Sequence, residues 1–496
     1  MLDLKSVDLK KEKIETLVIP VCEDKEIHDN RTIASIIKQA KKIKGFKGKK
    51  DDEVIFYNPS QVSAERVVFS GIGKFEKINA EILRSLTGRA VKKCIKSELS
   101  KVLIAVPPTK KIASQFSDSD PEEAVLEAML SGACLGNHFF DKYKKEKKRK
   151  PLKQISFLVK SETAKKFRML PSRVRTVCQG TILAREWVTI SSNDKKPEQF
   201  IKSIVTAAEK ENLKVTVMDE KELIKKKFGA ILAVASGSMS RPGMVILEYK
   251  SERAEKTIAL AGKGVTFDSG GINLKPSASM GLMKKDMSGA AAVAATLITL
   301  AKLKPSVNVV GIIPVVENMP SGNASRPGDI IRTYSGKTVE IGNTDAEGRL
   351  ILADAISYVA EKYAPDTLID IATLTGACVT ALGDKIAGVF SSDDDLAKEI
   401  VLSGEKTYER CWQLPLLDDY KDMLKSEIAD INNTARAPSG GAITAALFLS
   451  EFVEDTKWAH IDIAGTAYIK KESAYCGHGG TGFGVRLLCH LLTNAD

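Results

Sequence analysis

Apolar residues in this chain fall into short dense runs, separated by longer stretches with a helical period. Glu65–Gly73 (ERVVFSGIG), Val102–Val106 (VLIAV) and Gln154–Val159 read as buried strands that end in turn residues. Asp120, followed by Pro121, Glu122 and Glu123, marks a helix start. The Asp side chain caps free N–H groups, proline suits the first helical position, and the acids suit the positive helix end. That helix is expected to run through Gly132 and Phe139 towards a basic run. A second helical pattern spans about Ser172 to Val188 and is broken by the polar stretch Ser191–Pro197. Beyond it, Ala230–Ala235, Thr257–Ala261, Val309–Val315, Thr367–Ile371 and His460–Ala464 read as strands. Long helical stretches, Ser288–Lys302 and Leu350–Lys362, lie between them. Strand, loop and helix in alternation predict an α/β fold with a mainly parallel central sheet. We expect a smaller N-terminal α/β domain over residues 1–170, a linker helix over 171–195 and a larger α/β domain over 196–496. Ligands of such sheets gather at the carboxyl ends of the strands.

Length and composition agree with this reading. A chain of 496 residues implies roughly two to four domains. With 43% apolar and 28% charged residues it belongs among folded proteins with a large core, which excludes disordered and fibrous classes. The first residues, MLDLKSVDLKKEKIE, alternate charge with apolar positions and offer no signal-like apolar core. Met287–Ala301 is too short for a membrane span and rich in alanine, so it reads as a buried helix. The eight cysteines (22, 94, 134, 178, 378, 411, 476 and 489) show no CxxC spacing and are expected to be free thiols in a reducing compartment. The expected setting is cytoplasmic, with no membrane.

The net charge of +11 is unevenly spread. Seven of the ten residues from Asp141 to Lys150 are Lys or Arg, and Lys225–Lys227 adds a second run. Such runs are usually solvated helix ends, and they also attract acidic partners such as nucleic acid.

Charged residues follow directly on buried strands in two places: Ala261–Asp286 (AGKGVTFDSGGINLKPSASMGLMKKD) and Ile341–Arg349 (IGNTDAEGR). Buried polar groups at strand ends need partners. Should Asp268, Asp286, Asp345 and Glu347 converge, their repulsion calls for cations, and hard oxygen ligands suit Mg, Mn or Zn. Spacing alone leaves surface charges and helix caps as the other reading. Competing motifs fail. GKG at Gly262–Gly264 is no phosphate loop, because Thr257 replaces its first glycine and Gly264 its Ser or Thr. The glycine-rich tail Gly477–Gly484 lacks GxGxxG order, and HExxH and GxSxG are absent.

KGVTFDSGGINLK, MKKDMSGAAAV and NTDAEGRLILADA together resemble the leucyl (cytosol) aminopeptidase family of metallopeptidases. The resemblance continues through VENMPSGNASRPGD, DIATLTGA, WAHIDIAG and GGTGFGVRLL. It is strong over roughly residues 175–496 and weaker before, where GACLGNHFFDKYK is similar to the family's helix leading to the linker. It departs from the family pattern at Trp187–Asn193 (WVTISSN).

The resemblance implies a metal-dependent aminopeptidase that releases N-terminal residues from peptides, assembled as a homohexamer. It implies two divalent ions per subunit, Mn or Zn with Mg or Co as alternatives. Asp268 and Glu347 would bridge both ions, Lys263 and Asp286 would complete the tighter site, and Asp345 the more exchangeable one. Two such ions share a water and lower its pKa. As a ligand, Lys263 must be neutral. Lys275 would stay charged and stabilise the oxyanion. Arg349 would hold a bicarbonate acting as general base, an anion its planar guanidinium suits. Met283, Thr373, Gly376, Ala464 and Ala467 would line the pocket for the first side chain, favouring Leu, Met and other apolar residues. Ala467, small where some relatives carry a larger residue, implies a roomier pocket. Some bacterial relatives also bind DNA, so an additional nucleic-acid-binding or regulatory role through the basic N-terminal region is the alternative reading.

Overall fold

A parallel strand is buried on both faces and must be apolar along its length, and Ile14–Cys22 (IETLVIPVC) is such a run. In a computed structural model of the chain, which describes residues 1–116, 120–147, 149–437 and 439–494, it is a central strand of the N-terminal sheet. The strands of that sheet are β1 (Leu2–Lys5), β2 (Ile14–Cys22), β3 (Glu53–Tyr57), β4 (Ala64–Gly73), β5 (Lys101–Ala105) and β6 (Gln154–Leu158). They are ordered β1-β6-β5-β2-β4-β3, and only the edge pair β3–β4 is antiparallel. The unit built on this sheet comprises Met1–Cys178 and Lys471–Gly477.

The second unit comprises Gln179–Lys470 and His478–Asp496. Its strands include β7 (Lys214–Met218), β8 (Gly243–Tyr249), β9 (Thr257–Gly262), β10 (Gly264–Asp268) and β11 (Asn308–Asn318). After them come β12 (Ile330–Arg332), β13 (Thr338–Glu340), β14 (Thr367–Ala372), β15 (Ala387–Ser391), β16 (Cys411–Gln413), β17 (Ile431–Asn432) and β18 (Lys457–Asp462). The main sheet runs β16-β15-β18-β14-β9-β11-β8-β7, with β10 paired to the end of β11 and β12-β13-β17 forming a small separate sheet. The four central strands, β18-β14-β9-β11, are mutually parallel, so their carboxyl ends lie together.

Each face of this sheet carries a helical layer. On one face Ala259, Ala261, Val310, Ile312 and Leu368 join the core that holds helices Glu347–Tyr363 and Gly441–Ser450. On the other lies helix Ser288–Leu303, whose residues are buried without a break from Ser288 to Leu300. Gly311 lets it come close, since a Cβ there would lie 2.8 Å from Leu297 and 3.0 Å from Val293. The segment Met283–Leu303 has the length and apolarity of a membrane span, yet 83% of its most apolar window is buried inside the protein, as a core helix requires.

Two expectations need correction. Ala230–Ala235 is not a strand but lies in helix Gly229–Ala235. A short apolar run has no period that separates the two states. Here the buried Asp354 carboxylate accepts Ala230 N and Ile231 N at 2.9 and 3.0 Å and so caps a helix. The helix begun at Pro121 ends at Gly136 and never reaches Phe139. Asn137 stops it by exchanging side-chain hydrogen bonds with Leu152, at 2.8 and 3.1 Å. The described residues of the basic run at 141–150 are outside any helix, and Lys148 is outside the described residues. All eight cysteines are free thiols.

Candidate metal centre

Strand β9 ends one residue before Lys263, β10 ends on Asp268, and β14 ends one residue before Thr373. Three parallel strands thus deliver polar groups to one place. Helix Glu347–Tyr363 starts beside them with Glu347 in its first turn. Asp286 follows the one-turn helix Met283–Lys285.

Lys263, only 3% exposed, stands between two carboxylates, with Nζ 2.8 Å from Asp286 Oδ2 and 2.7 Å from Glu347 Oε1. It also donates to Thr373 O at 2.9 Å. Gly348 makes room for this chain: a Cβ there would lie 2.5 Å from Lys263 Cε. A second ammonium, Lys275, lies 2.8 Å from Asp268 Oδ2 and also pairs with Asp345 Oδ1. The loop carrying it turns at Gly270, whose φ of +88° suits glycine.

Uncharged side chains hold the acids in place. Asp268 Oδ1 accepts Gly270 N and Asn318 Nδ2, both at 2.9 Å. Asn318 ends β11 in register with Asp268 and also donates to Thr344 O at 3.0 Å. Thr373 Oγ1 donates to Asp286 Oδ1 at 2.7 Å. Asn433 accepts Gly342 N at 2.8 Å, while its own carbonyl accepts Arg349 Nη1 at 2.7 Å. Arg349 is 8% exposed, and its Nε has no hydrogen-bond partner among the described residues.

Four carboxylates share two ammonium groups here, so with all four ionised negative charge exceeds positive even with Arg349 counted. Burial, reinforced by the charges of Glu347 and Asp286, pushes Asp268 up to about 8. Burial likewise raises Asp286 to about 6, with Lys263 opposing it. Asp345 rises from burial and from Glu347. Burial would raise Glu347 too, but Lys263 and Lys275 outweigh it and hold Glu347 below the usual range.

A divalent cation fits this donor set. Oxygens of Asp268, Asp286 and Glu347 lie within 4.8 Å of one another. Glu347 Oε2 is buried and accepts no hydrogen bond among the described residues. Asp286 Oδ2 and Asp345 Oδ1 meet ammonium groups at ion-pair distance but not in hydrogen-bond geometry. A cation among these oxygens would supply the missing charge.

Six of the seven charged residues anticipated from sequence form two ion-pair triads, Asp286–Lys263–Glu347 and Asp268–Lys275–Asp345, and Arg349 follows Glu347 by two residues in the same helical turn. Of the pocket residues, Thr373 bonds Asp286, and Met283 sits on the turn leading to it. Ala464 O accepts Lys285 Nζ at 2.7 Å. Gly376 opens helix Gly376–Leu382 with empty space where a Cβ would be, and Ala467 is 2% exposed. Sequence reasoning missed Asn318, Asn433 and Asp462. Asp462 is buried and accepts Leu374 N, Thr375 N and Ala464 N at 3.0–3.2 Å, tying together the loops after β14 and β18. An ionisable residue closing an apolar strand is the signal that was available.

The chain matches the model of the cytosol aminopeptidase family's catalytic domain over residues 182–489 and that of its N-terminal domain over 18–147. It is 42% identical over 454 residues to a probable cytosol aminopeptidase of Syntrophotalea carbinolica, covering 90% of each chain. It is 40% identical over 499 residues to one of Chlorobium phaeobacteroides, covering 98% of this chain and 97% of the other. Its fold is similar to that of the bottromycin maturation enzyme BotP in complex with Mn, with a TM-score of 0.85 at 31% identity over 97% of this chain and 99% of the other.

Proposed function

The chain belongs to the cytosol aminopeptidase family of metal-dependent peptidases, and from that premise we propose that it removes N-terminal residues, Leu and other apolar ones preferentially, using two divalent ions. The observation that carries this reading is the buried cluster of Asp268, Asp286 and Glu347, whose oxygens approach within 4.8 Å while negative charge exceeds positive. Asp268 and Glu347 would hold both ions, Lys263 and Asp286 one of them, and Asp345 the other. When bound, the ions supply an acidified water and an anchor for the substrate's free α-amine.

The remaining steps fall to the chain's own groups. Lys263, an ammonium between Asp286 and Glu347, gives up a proton to become a ligand. Lys275 keeps its charge and, once Asp268 and Asp345 turn to cations, directs it at the oxyanion of the tetrahedral intermediate. Arg349, whose Nε has no partner among the described residues, would hold a bicarbonate whose chemistry is proton acceptance. The open space at Gly376, with buried Ala464 and Ala467 and the Met283 and Thr373 side chains, supports a pocket for an apolar side chain.

We assign residues 196–496 to the catalytic domain and place the activity in the cytosol, as the names of the relatives suggest. We take the chain to self-assemble as a hexamer, as the resemblance to the family implies. Hydrolysis of leucine p-nitroanilide before chelation, after it and after adding back Mn or Zn tests the reading. Activity should vanish and return. Activity indifferent to chelator rejects the metal mechanism, and faster release of Asp or Lys than of Leu rejects the apolar pocket.

A further inference from the structure

One buried lysine of the catalytic unit takes no part in the ion pairs of the cluster. Lys195 is 2% exposed. Its Nζ donates to Trp187 O at 2.7 Å, Lys284 O at 2.8 Å and Met287 Sδ at 3.2 Å, and lies 3.5 Å from Val188 O. Three close acceptors match the three N–H groups of an ammonium. Trp187 and Val188 belong to the last turn of helix Leu170–Thr189, where carbonyls lack helical partners and the dipole favours a cation. Among the described residues no carboxylate pairs with it. Burial, and after it the like charge of Lys284, draw its pKa well down. An apolar side chain of similar length fills such a space without desolvating a charge, so the cation must be retained for what it holds.

What it holds is the turn that presents Asp286. Lys284 O lies two residues before that carboxylate, and Met287 Sδ belongs to the residue after it. The same turn is tied twice more: Lys284 Nζ donates to Thr189 O at 3.2 Å and Lys285 Nζ to Ala464 O at 2.7 Å. Of these three ammonium groups Lys195 alone is fully buried, and it alone grips the chain on both sides of Asp286.

We propose that Lys195 is a positioning residue whose ammonium, caged by main-chain carbonyls and a thioether, sets Asp286 for metal binding and Met283 for the substrate's first side chain. The proposal rests on the reading of Asp286 as a metal ligand. The carbonyl cage resembles a monovalent-cation site filled by the chain's own ammonium, and that makes the role testable apart from catalysis.

The experiment compares the full-length wild type with Lys195→Met and Lys195→Ala. It reads Mn²⁺ affinity by calorimetry, melting temperature, and kcat and KM separately. In both variants Mn²⁺ affinity at one site should fall by about tenfold or more, as when a group orienting a ligand is removed. Ammonium or methylammonium should restore Mn²⁺ affinity and raise the melting temperature of Lys195→Ala without changing the wild type, whereas tetramethylammonium should not. Mn²⁺ affinities equal to wild type in the variants, or no ammonium effect on Lys195→Ala, overturn the proposal even where stability falls. Should both variants fail to fold, Lys195→Arg, which keeps the charge but displaces it, carries the test, and unchanged Mn²⁺ affinity and KM there overturn it too. Absence of Mn²⁺ binding in the wild type would instead remove the reading of Asp286 on which the proposal stands.

Discussion

The two units are both α/β, with parallel strands at the centre of each sheet, yet the carboxyl ends of those strands carry different chemistry. In the N-terminal unit β2 ends on Cys22 and β4 on Gly73, and β5 runs into Val106 and two prolines. The charged groups there either face solvent or bond the main chain. Asp24 accepts Phe75 N at 2.9 Å, and Lys41 donates to Cys22 O at 2.8 Å. The buried His28 bonds Pro20 O at 2.8 Å, and burial lowers its pKa, keeping it neutral. In the catalytic unit the corresponding ends deliver Lys263, Asp268, Asn318 and Thr373 to one buried cluster with unbalanced charge. The architecture is common to both. Function belongs to the ends where acids are buried without enough cations to pair them.

The widest gap between the two regions should appear on removing a shared acid. Glu347→Ala or Asp268→Ala should abolish metal binding and lower kcat/KM by at least about a thousandfold, against no change for Asp24→Ala in the N-terminal unit. Metal analysis by mass spectrometry with parallel assays checks this, and a metal-loaded Glu347→Ala protein would contradict it. Next in size, Lys275→Ala should keep its metal content while kcat falls about a hundred- to a thousandfold. Turnover unchanged in that variant would remove the oxyanion role.

A smaller effect follows from protons. Burial alone would lower the Lys263 pKa, but the charges of Asp286 and Glu347 raise it above the ordinary range. Ion binding must therefore expel a proton, so affinity should fall about tenfold per pH unit as acid is added. Burial holds Asp268 near about 8, and below that pH a second proton has to leave and the slope steepens. Chelator competition from mildly acid to mildly alkaline pH would read this, and a flat profile would contradict it. The smallest effect should be purely structural. Asp354, fully buried, accepts Ala230 N, Ile231 N and Tyr334 N at 2.7–3.0 Å. Asp354→Asn sets an amide donor against N–H donors and should cost about 1–3 kcal/mol in urea unfolding, with Mn²⁺ affinity retained.

Much of this was legible in the sequence, for identifiable reasons. Central strands such as Thr257–Gly262 and Thr367–Ala372 are apolar throughout, and length separates them from helices. Lys263 and Asp268 stood out because the first directly follows an apolar strand and the second closes one. Ala230–Ala235 was misread because its helix depends on Asp354, more than a hundred residues later, which no local pattern contains. Asn318 and Asn433 escaped notice because an uncharged amide acquires its meaning only from the partners that the fold brings to it. Lys195 looked like one lysine of a polar linker, and only its burial sets it apart.

On the proposed reading this carboxylate cluster holds the ions on which hydrolysis depends. The most direct measurement titrates Mn²⁺ into chelated wild-type protein and into Glu347→Ala while following leucine p-nitroanilide hydrolysis. The wild type should regain its rate in step with binding and saturate at two ions per chain, and the variant should neither bind nor turn over. Full rate in the chelated protein, or equal Mn²⁺ binding in the two proteins, would contradict the account.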